Sequence, residues 1–166
     1  ISDIIVTTET NPKNHCLEQF CMTKADLHIS GYVVYTNAES QVSRGVAIHV
    51  KENIKSMEAF KFNTHQFSEI VPVEIKLDGN DKLLLLAIYR SPNSSPDNNL
   101  KLNNLISNID KLGYTHLLLL GDFNYPGIIW DSGGGETRSH TSEAGKFLEA
   151  TRDSFLFQHV DFSTRY

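Results

Sequence analysis

The sequence predicts a layered α/β domain, and three observations support that class. Lys82 to Tyr89 and His116 to Phe123 are nearly continuous apolar runs of strand length, which are typical of strands covered on both faces. Ser95-Pro96 and Ser142-Glu143 each open a segment with apolar residues at helical spacing. A strong hairpin precedes the first helix. Two packed sheets flanked by helices and an ordinary three-layer sandwich both fit this alternation.

The hairpin is the clearest local signal. Its first strand alternates apolar and polar residues, with Val71, Val73, Ile75 and Leu77 on one face and Pro72, Glu74 and Lys76 on the other. The turn is Asp78 to Asp81, after which the chain returns as Lys82 to Tyr89. We expect the first strand to have one solvent-exposed face and the second to have none.

Asp3 to Thr8, Val33 to Tyr35 and Val46 to Val50 predict further strands. The first helix is predicted to run from Pro96 to Leu112 and to end at Gly113. Its apolar face is Leu102, Leu105, Ile106, Ile109 and Leu112, and that of the second helix is Ala144, Phe147, Leu148 and Thr151. Because we find no linker or internal repeat, we interpret residues 1–166 as a single domain.

Composition excludes several classes of protein. The 166 residues carry a formal net charge of −5, which argues against a broad basic surface for nucleic acid but is compatible with a metal-dependent nuclease. No apolar run approaches the roughly 18 residues of a membrane span, so no membrane association is expected. Cys16 and Cys21 are too few for a four-ligand zinc site or a disulfide framework, which predicts reduced thiols in an intracellular protein. The chain begins at Ile1 without a leader, so we expect a piece of a longer polypeptide.

Polar residues follow three of the predicted buried strands, at the position where α/β sheets build sites. In Gly121-Asp122-Phe123-Asn124, an extended backbone would point the Asp122 and Asn124 side chains the same way and Phe123 into the core. Asp122 and Asn124 could then orient a water and a phosphate oxygen. Tyr89-Arg90-Ser91-Pro92-Asn93-Ser94 suits phosphate contacts. Thr7-Thr8-Glu9-Thr10 offers a hard oxygen ligand for Mg²⁺. Taken singly, each motif also has a structural interpretation. The Asp122 motif fits a turn cap, the Tyr89 motif fits a polar loop before a helix, and Glu9 fits an ordinary surface glutamate.

The chain resembles the endonuclease/exonuclease/phosphatase superfamily in three motifs and in their order. The motifs are Thr-Glu-Thr, Tyr-Arg-Ser-Pro-Asn-Ser and Leu-Leu-Leu-Leu-Gly-Asp-Phe-Asn-Tyr-Pro. The Tyr-Arg-x-Pro-Asn-Ser form, Trp130 and the stretch from Gln158 to Arg165 are similar to the endonuclease of non-LTR retrotransposons, which is encoded ahead of a reverse transcriptase. The resemblance implies a four-layer α/β/β/α sandwich, incomplete at both ends, that hydrolyses phosphodiesters with Mg²⁺ or Mn²⁺. It further implies nicking of DNA at a retrotransposon target site, in the nucleus, with a reverse transcriptase domain in the same parent polypeptide.

The resemblance also implies roles for individual residues. Glu9 matches the metal-binding glutamate, and Asp122 matches the aspartate that positions or deprotonates the attacking water. Asn124 matches the asparagine that helps to hold the phosphate and that aspartate, and Tyr89 matches the tyrosine whose hydroxyl faces the phosphate. The substrate-binding candidates are Asn93, Arg90 and Trp130.

The chain departs from the family pattern at both ends. A strand bearing an asparagine should precede it, and an aspartate and then a Ser-Asp-His triplet should follow it. Because that histidine is essential in the family, our hypothesis is a weak or inactive nuclease, which robust Mg²⁺-dependent nicking would contradict. Missing strands would expose sheet edges, through which a homodimer is a further expectation. Two other functions stay open: a non-catalytic binding or scaffold module domesticated from such an element, and a phosphatase acting on a small phosphoester.

Overall fold

The computed structural model describes residues 2–13, 21–40, 43–59, 67–131 and 134–160. The chain divides into two compact units. The first comprises the described residues of 1–90 and 113–123, and the second comprises those of 91–112 and 124–166. Predictions that concern Cys16, and residues 161–165 of the stretch that begins at Gln158, lie outside the described residues.

The first unit contains two β-sheets. The three-stranded sheet is antiparallel with the order β1-β3-β2, and its strands are β1 (Ile4–Thr8), β2 (Tyr32–Thr36) and β3 (Val46–Lys51). The four-stranded sheet has the order β4-β5-β6-β7, with β4 (Ser56–Glu58), β5 (Ile70–Lys76), β6 (Lys82–Tyr89) and β7 (His116–Asp122). β6 and β7 run parallel, as expected for neighbouring strands joined by a helical connection, whereas the other pairs are antiparallel.

A hydrophobic core lies between the two sheets. It is built from alternate residues of three strands: Val46, Ile48 and Val50 of β3, Val71, Val73 and Ile75 of β5, and Leu85, Ala87 and Tyr89 of β6. The intervening residues of β6, Leu84, Leu86 and Ile88, are fully buried as well, which confirms that this strand is covered on both faces. The predicted mixed α/β class, with strands packed in more than one sheet, is therefore confirmed.

The second unit contains two helices and a small hairpin. The elements are α1 (Pro96–Ile106), a 3-10 turn (Ile109–Leu112), β8 (Ile128–Ile129), β9 (Glu136–Thr137) and α2 (Glu143–Asp153). Ser95 and Ser142 cap the two helices through their side-chain oxygens, as the sequence predicts. The helices pack together, and the Ser154 hydroxyl donates to the Ile106 carbonyl at 3.0 Å. No helix in the described ranges is long and apolar enough to cross a membrane.

Some predicted elements were wrong in detail. α1 ends at Ile106 rather than at Leu112, because the Asn108 side chain donates to the Asn104 carbonyl at 2.6 Å and so competes with the continuing helix. Pro72, Glu74 and Lys76 were expected to form a solvent-exposed face of β5. Pro72 is buried, so the exposed part of this face is confined to the end of the strand. Leu117 to Leu120 of β7 are partly exposed on both faces of the strand, rather than fully buried, and in the described sheet β7 lies at the edge beside β6.

Candidate active site

Three strand ends of the first unit meet at one place. Tyr89 ends β6 and Asp122 ends β7, and the two residues are partners in the parallel register. Glu9 follows β1, and the Tyr89 hydroxyl donates a hydrogen bond of 2.5 Å to Glu9 Oε1. The structure therefore brings together Glu9, Tyr89 and Asp122, although Glu9 and Tyr89 lie 80 positions apart in the sequence.

The backbone at Glu9 has a conformation that is unfavourable for a side chain of this type. Its φ is 56°, in the left-handed region, which costs about 1–2 kcal/mol for an L-residue. The following residues are held firmly, because Thr10 N donates to Gly45 O at 3.1 Å and Asn11 N donates to Arg44 O at 2.9 Å. The buried Asn11 side chain also donates to two loop carbonyls. Such over-determined strain in a non-glycine residue is common at functional sites.

The Tyr89 phenol is kept in its protonated form. Burial raises the pKa of Tyr89 to about 12, and the hydrogen bond to Glu9 and the charges of Glu9 and Asp122 act in the same direction. The Arg44 guanidinium opposes this effect. With only 3% of its surface exposed, Tyr89 is a neutral hydrogen-bond donor at pH 7 rather than a base.

Arg44 is a site residue that sequence reasoning missed. Its Nη2 lies 3.5 Å from Glu9 Oε1, and the two side chains are 23% and 44% exposed. From the sequence alone, Arg44 is interpreted as part of a turn before β3. Its proximity to Glu9 follows from the pairing of β1 with β3, in which Thr8 faces Val46. Nothing local in the sequence carries that information.

Gly121 is required by the close approach of β7 to β6. Its φ is 137°, and a Cβ at this position would lie 1.8 Å from the Ile88 carbonyl oxygen. After Asp122 the chain leaves the extended conformation, and Asn124 has a φ of 49°. The extended backbone assumed for this motif therefore ends before Asn124, so a shared direction of the Asp122 and Asn124 side chains stays a prediction, and Phe123 is half-buried rather than part of the core.

Arg90 is buried, with 5% of its surface exposed. Its backbone N–H donates to the Asp122 carbonyl at 2.8 Å, and its Nη1 donates to the Phe123 carbonyl at 3.4 Å. These contacts tie the end of β6 to the end of β7. Substrate binding by Arg90 stays a prediction, and the geometry of the residue indicates a structural role at the site.

The other predicted site residues belong to the second unit. Asn93 is exposed in the turn that precedes α1, where Ser94 N donates to Ser91 O at 3.0 Å. Trp130 follows β8, and its ring lies against Gly135, where an added Cβ would be 2.6 Å from Trp130 Cε3. The roles predicted for Asn93, Trp130 and Asn124 stay predictions.

The ligands available at Glu9 suit a weakly bound hard cation, rather than one that is coordinated mainly by protein side chains. Within the described part of the chain, no three His, Cys, Asp or Glu side chains could jointly hold a metal ion. Mg²⁺ is usually bound by one or two carboxylates together with water and substrate phosphates. The two contacts of Glu9 with described residues both use Oε1, so Oε2 is the oxygen that would face such an ion. Carboxylate oxygen suits Mg²⁺ and Mn²⁺ alike.

The arrangement offers a half-exposed carboxylate, a protonated phenol, a guanidinium and an aspartate at the end of β7. Together these groups suit the positioning of a phosphate and of a water beside it. No protein-family model matches the chain, and no curated protein matches it.

Proposed function

We propose that the chain carries a metal-dependent phosphodiesterase site for nicking DNA, with the weak activity that the sequence predicts. The observation that carries the proposal is the hydrogen bond from the Tyr89 hydroxyl to Glu9, with Asp122 beside Tyr89 in the strand register. Three separate motifs of the resemblance select these three residues. Strand pairing brings the three residues to one edge, and their chemistry, a carboxylate and an aspartate that both interact with one phenol, supports a common role.

The proposed reaction is hydrolysis of a phosphodiester, in which water forms a bond to phosphorus as the bond to the leaving oxygen breaks. Asp122 accepts the proton of the attacking water, and the leaving oxygen takes a proton from solvent. Tyr89, protonated at neutral pH, turns its hydroxyl from Glu9 to a non-bridging phosphate oxygen. Glu9 would hold Mg²⁺ or Mn²⁺, which neutralises charge on the phosphate when bound.

The proposal has finer parts. The four-layer α/β/β/α sandwich is supported by the order of the motifs and by the two packed sheets of the first unit. A retrotransposon target site as the substrate, a reverse transcriptase domain in the same polypeptide and a nuclear location rest on the motif resemblance alone.

The test is nicking of supercoiled plasmid in the presence of Mg²⁺ or Mn²⁺. One cut relaxes a whole plasmid molecule, so the assay detects slow reactions. Asp122→Asn is expected to lower the rate by about 100-fold or more, because it removes the proton acceptor. Glu9→Gln should lower it as well. Asp81→Asn, in the exposed hairpin turn, is the matched control and should leave the rate unchanged.

The outcomes separate the remaining functions. Nicking that survives Asp122→Asn would contradict the proposed mechanism. Hydrolysis of p-nitrophenyl phosphate or of an inositol phosphate without plasmid nicking would favour a phosphatase for small phosphoesters. Binding of DNA without cleavage under any of these conditions would favour a binding or scaffold module.

A further inference from the structure

Arg44 has a firmly held backbone. Its N–H donates to Glu69 Oε1 at 2.8 Å, while the Ser43 hydroxyl donates to Glu69 Oε2 at 2.8 Å. The carbonyl of the same Glu69 accepts the N–H of Tyr89 at 2.9 Å. One glutamate therefore fixes the backbone of both Arg44 and Tyr89, so that the two side chains start from fixed positions around Glu9.

Toward the described residues, in contrast, the Arg44 guanidinium uses little of its hydrogen-bonding capacity. Its Nε is buried and has no hydrogen-bond partner among the described residues. Its contact with Glu9 is 3.5 Å, which is an ion pair longer than an ordinary hydrogen bond. A guanidinium has five N–H donors in a planar fork, and this geometry matches a phosphate. A buried donor without a partner is unfavourable, and an arriving anion would relieve it.

Glu9 competes for this guanidinium. The Glu9 carboxylate is the acidic group with which Arg44 forms an ion pair, and it is also the carboxylate to which the proposed function assigns a cation. Since Arg44 and a cation share the same negative charge, binding of one weakens binding of the other. An Arg44 side chain released from Glu9 remains anchored beside Tyr89 and Glu9 through its backbone.

We propose that Arg44 is a phosphate-binding residue that alternates between two anions. It pairs with Glu9 while that carboxylate has no cation, and it binds a phosphate oxygen once Glu9 is engaged by Mg²⁺ or Mn²⁺. The inference rests on the proposed function for the identity of the cation and the substrate. It predicts opposite effects of removing Arg44: tighter cation binding and weaker phosphate binding.

The first experiment measures Mn²⁺ binding to the whole chain by calorimetry. Arg44→Gln is expected to bind Mn²⁺ roughly fivefold more tightly or better, because the competing charge is gone. Arg44→Lys keeps the charge and should stay close to the unmodified chain. Lys51→Gln removes an equal charge at the other end of β3, where Lys51 pairs with Asp3, and should have no effect. Weaker Mn²⁺ binding by Arg44→Gln would overturn the proposal, since Arg44 would then merely orient Glu9.

The second experiment uses inorganic phosphate and no metal. Glu9→Gln releases Arg44, so the affinity for phosphate is expected to rise roughly fivefold or more. Adding Arg44→Gln to Glu9→Gln should abolish the gain. An unchanged phosphate affinity in Glu9→Gln would overturn the proposal, whether or not the Arg44 variants fold. Because this experiment involves neither metal nor cleavage, it tests Arg44 independently of the nicking assay.

Discussion

Gly121→Ala is expected to destabilise the protein strongly, because the added methyl group would meet the neighbouring strand. The new Cβ would lie 1.8 Å from the Ile88 carbonyl oxygen and 2.8 Å from the Ile88 carbonyl carbon. These are backbone atoms of β6, so no side chain can rotate away to make room. The φ of 137° is unfavourable for alanine as well.

Two contributions set the size of the effect. Holding a non-glycine residue in such a backbone conformation costs about 1–3 kcal/mol. Forcing additional atoms into a packed region costs about 1–3 kcal/mol, or more when backbone must move. The sum, about 2–6 kcal/mol, is a large part of the roughly 5–15 kcal/mol that stabilises a domain of ordinary size.

Gly113→Ala provides a matched control. Gly113 has a φ of 74°, but nothing lies within 4 Å of a Cβ placed there. Alanine at this position should therefore cost only the backbone contribution, about 1–2 kcal/mol. The difference between the two variants reports the clash with Ile88 together with the less favourable φ of Gly121.

Urea denaturation followed by circular dichroism measures both free energies of unfolding, and equal slopes show that the two variants unfold from comparable states. Equal losses of stability in Gly121→Ala and Gly113→Ala would refute the reasoning. A stable Gly121→Ala protein would mean that β6 and β7 are not as close at this point as the structure has them. In the nicking assay, displacement of Asp122 should also lower the rate for Gly121→Ala.

Three further predictions concern titration and capping. In a spectrophotometric titration, Tyr89 is expected to ionise near pH 12 rather than 10, and Glu9→Gln should lower its pKa. The stabilisation associated with this raised pKa is present below about pH 10 and is lost as the pH rises through 12; an unchanged titration in Glu9→Gln would contradict the assigned contact. The Lys82 ammonium, hydrogen-bonded to Glu74, holds the pKa of that carboxyl below 4.5 although burial opposes it. That stabilisation is present above about pH 4.5 and is lost as the pH falls through the lowered pKa, so Lys82→Gln should move acid unfolding to higher pH. Ser142→Ala removes the cap of α2 and should cost about 1 kcal/mol in the free energy of unfolding, whereas a loss below about 0.3 kcal/mol would show that the cap contributes little.

The sequence by itself determined the elements whose signals are local. The serines before Pro96 and Glu143 start the two helices, because a side-chain oxygen at that position accepts an otherwise unpaired N–H. The turn at Gly79 and the apolar run of β6 follow from residue type and spacing alone. The position of Asp122 at the end of a strand was predictable for the same reason.

Only the tertiary structure decided how the strand ends come together. The hydrogen bond between Tyr89 and Glu9, and the ion pair that brings Arg44 to Glu9, depend on strand pairings between distant parts of the chain. Alternation along a strand indicates which side chains share a face, but it does not indicate which strand lies beside it. The left-handed turn at Asn124 was equally hidden, because a favourable residue type permits that conformation without requiring it. Strand partners are selected by packing of the whole core, so the composition of the site depends on the complete fold.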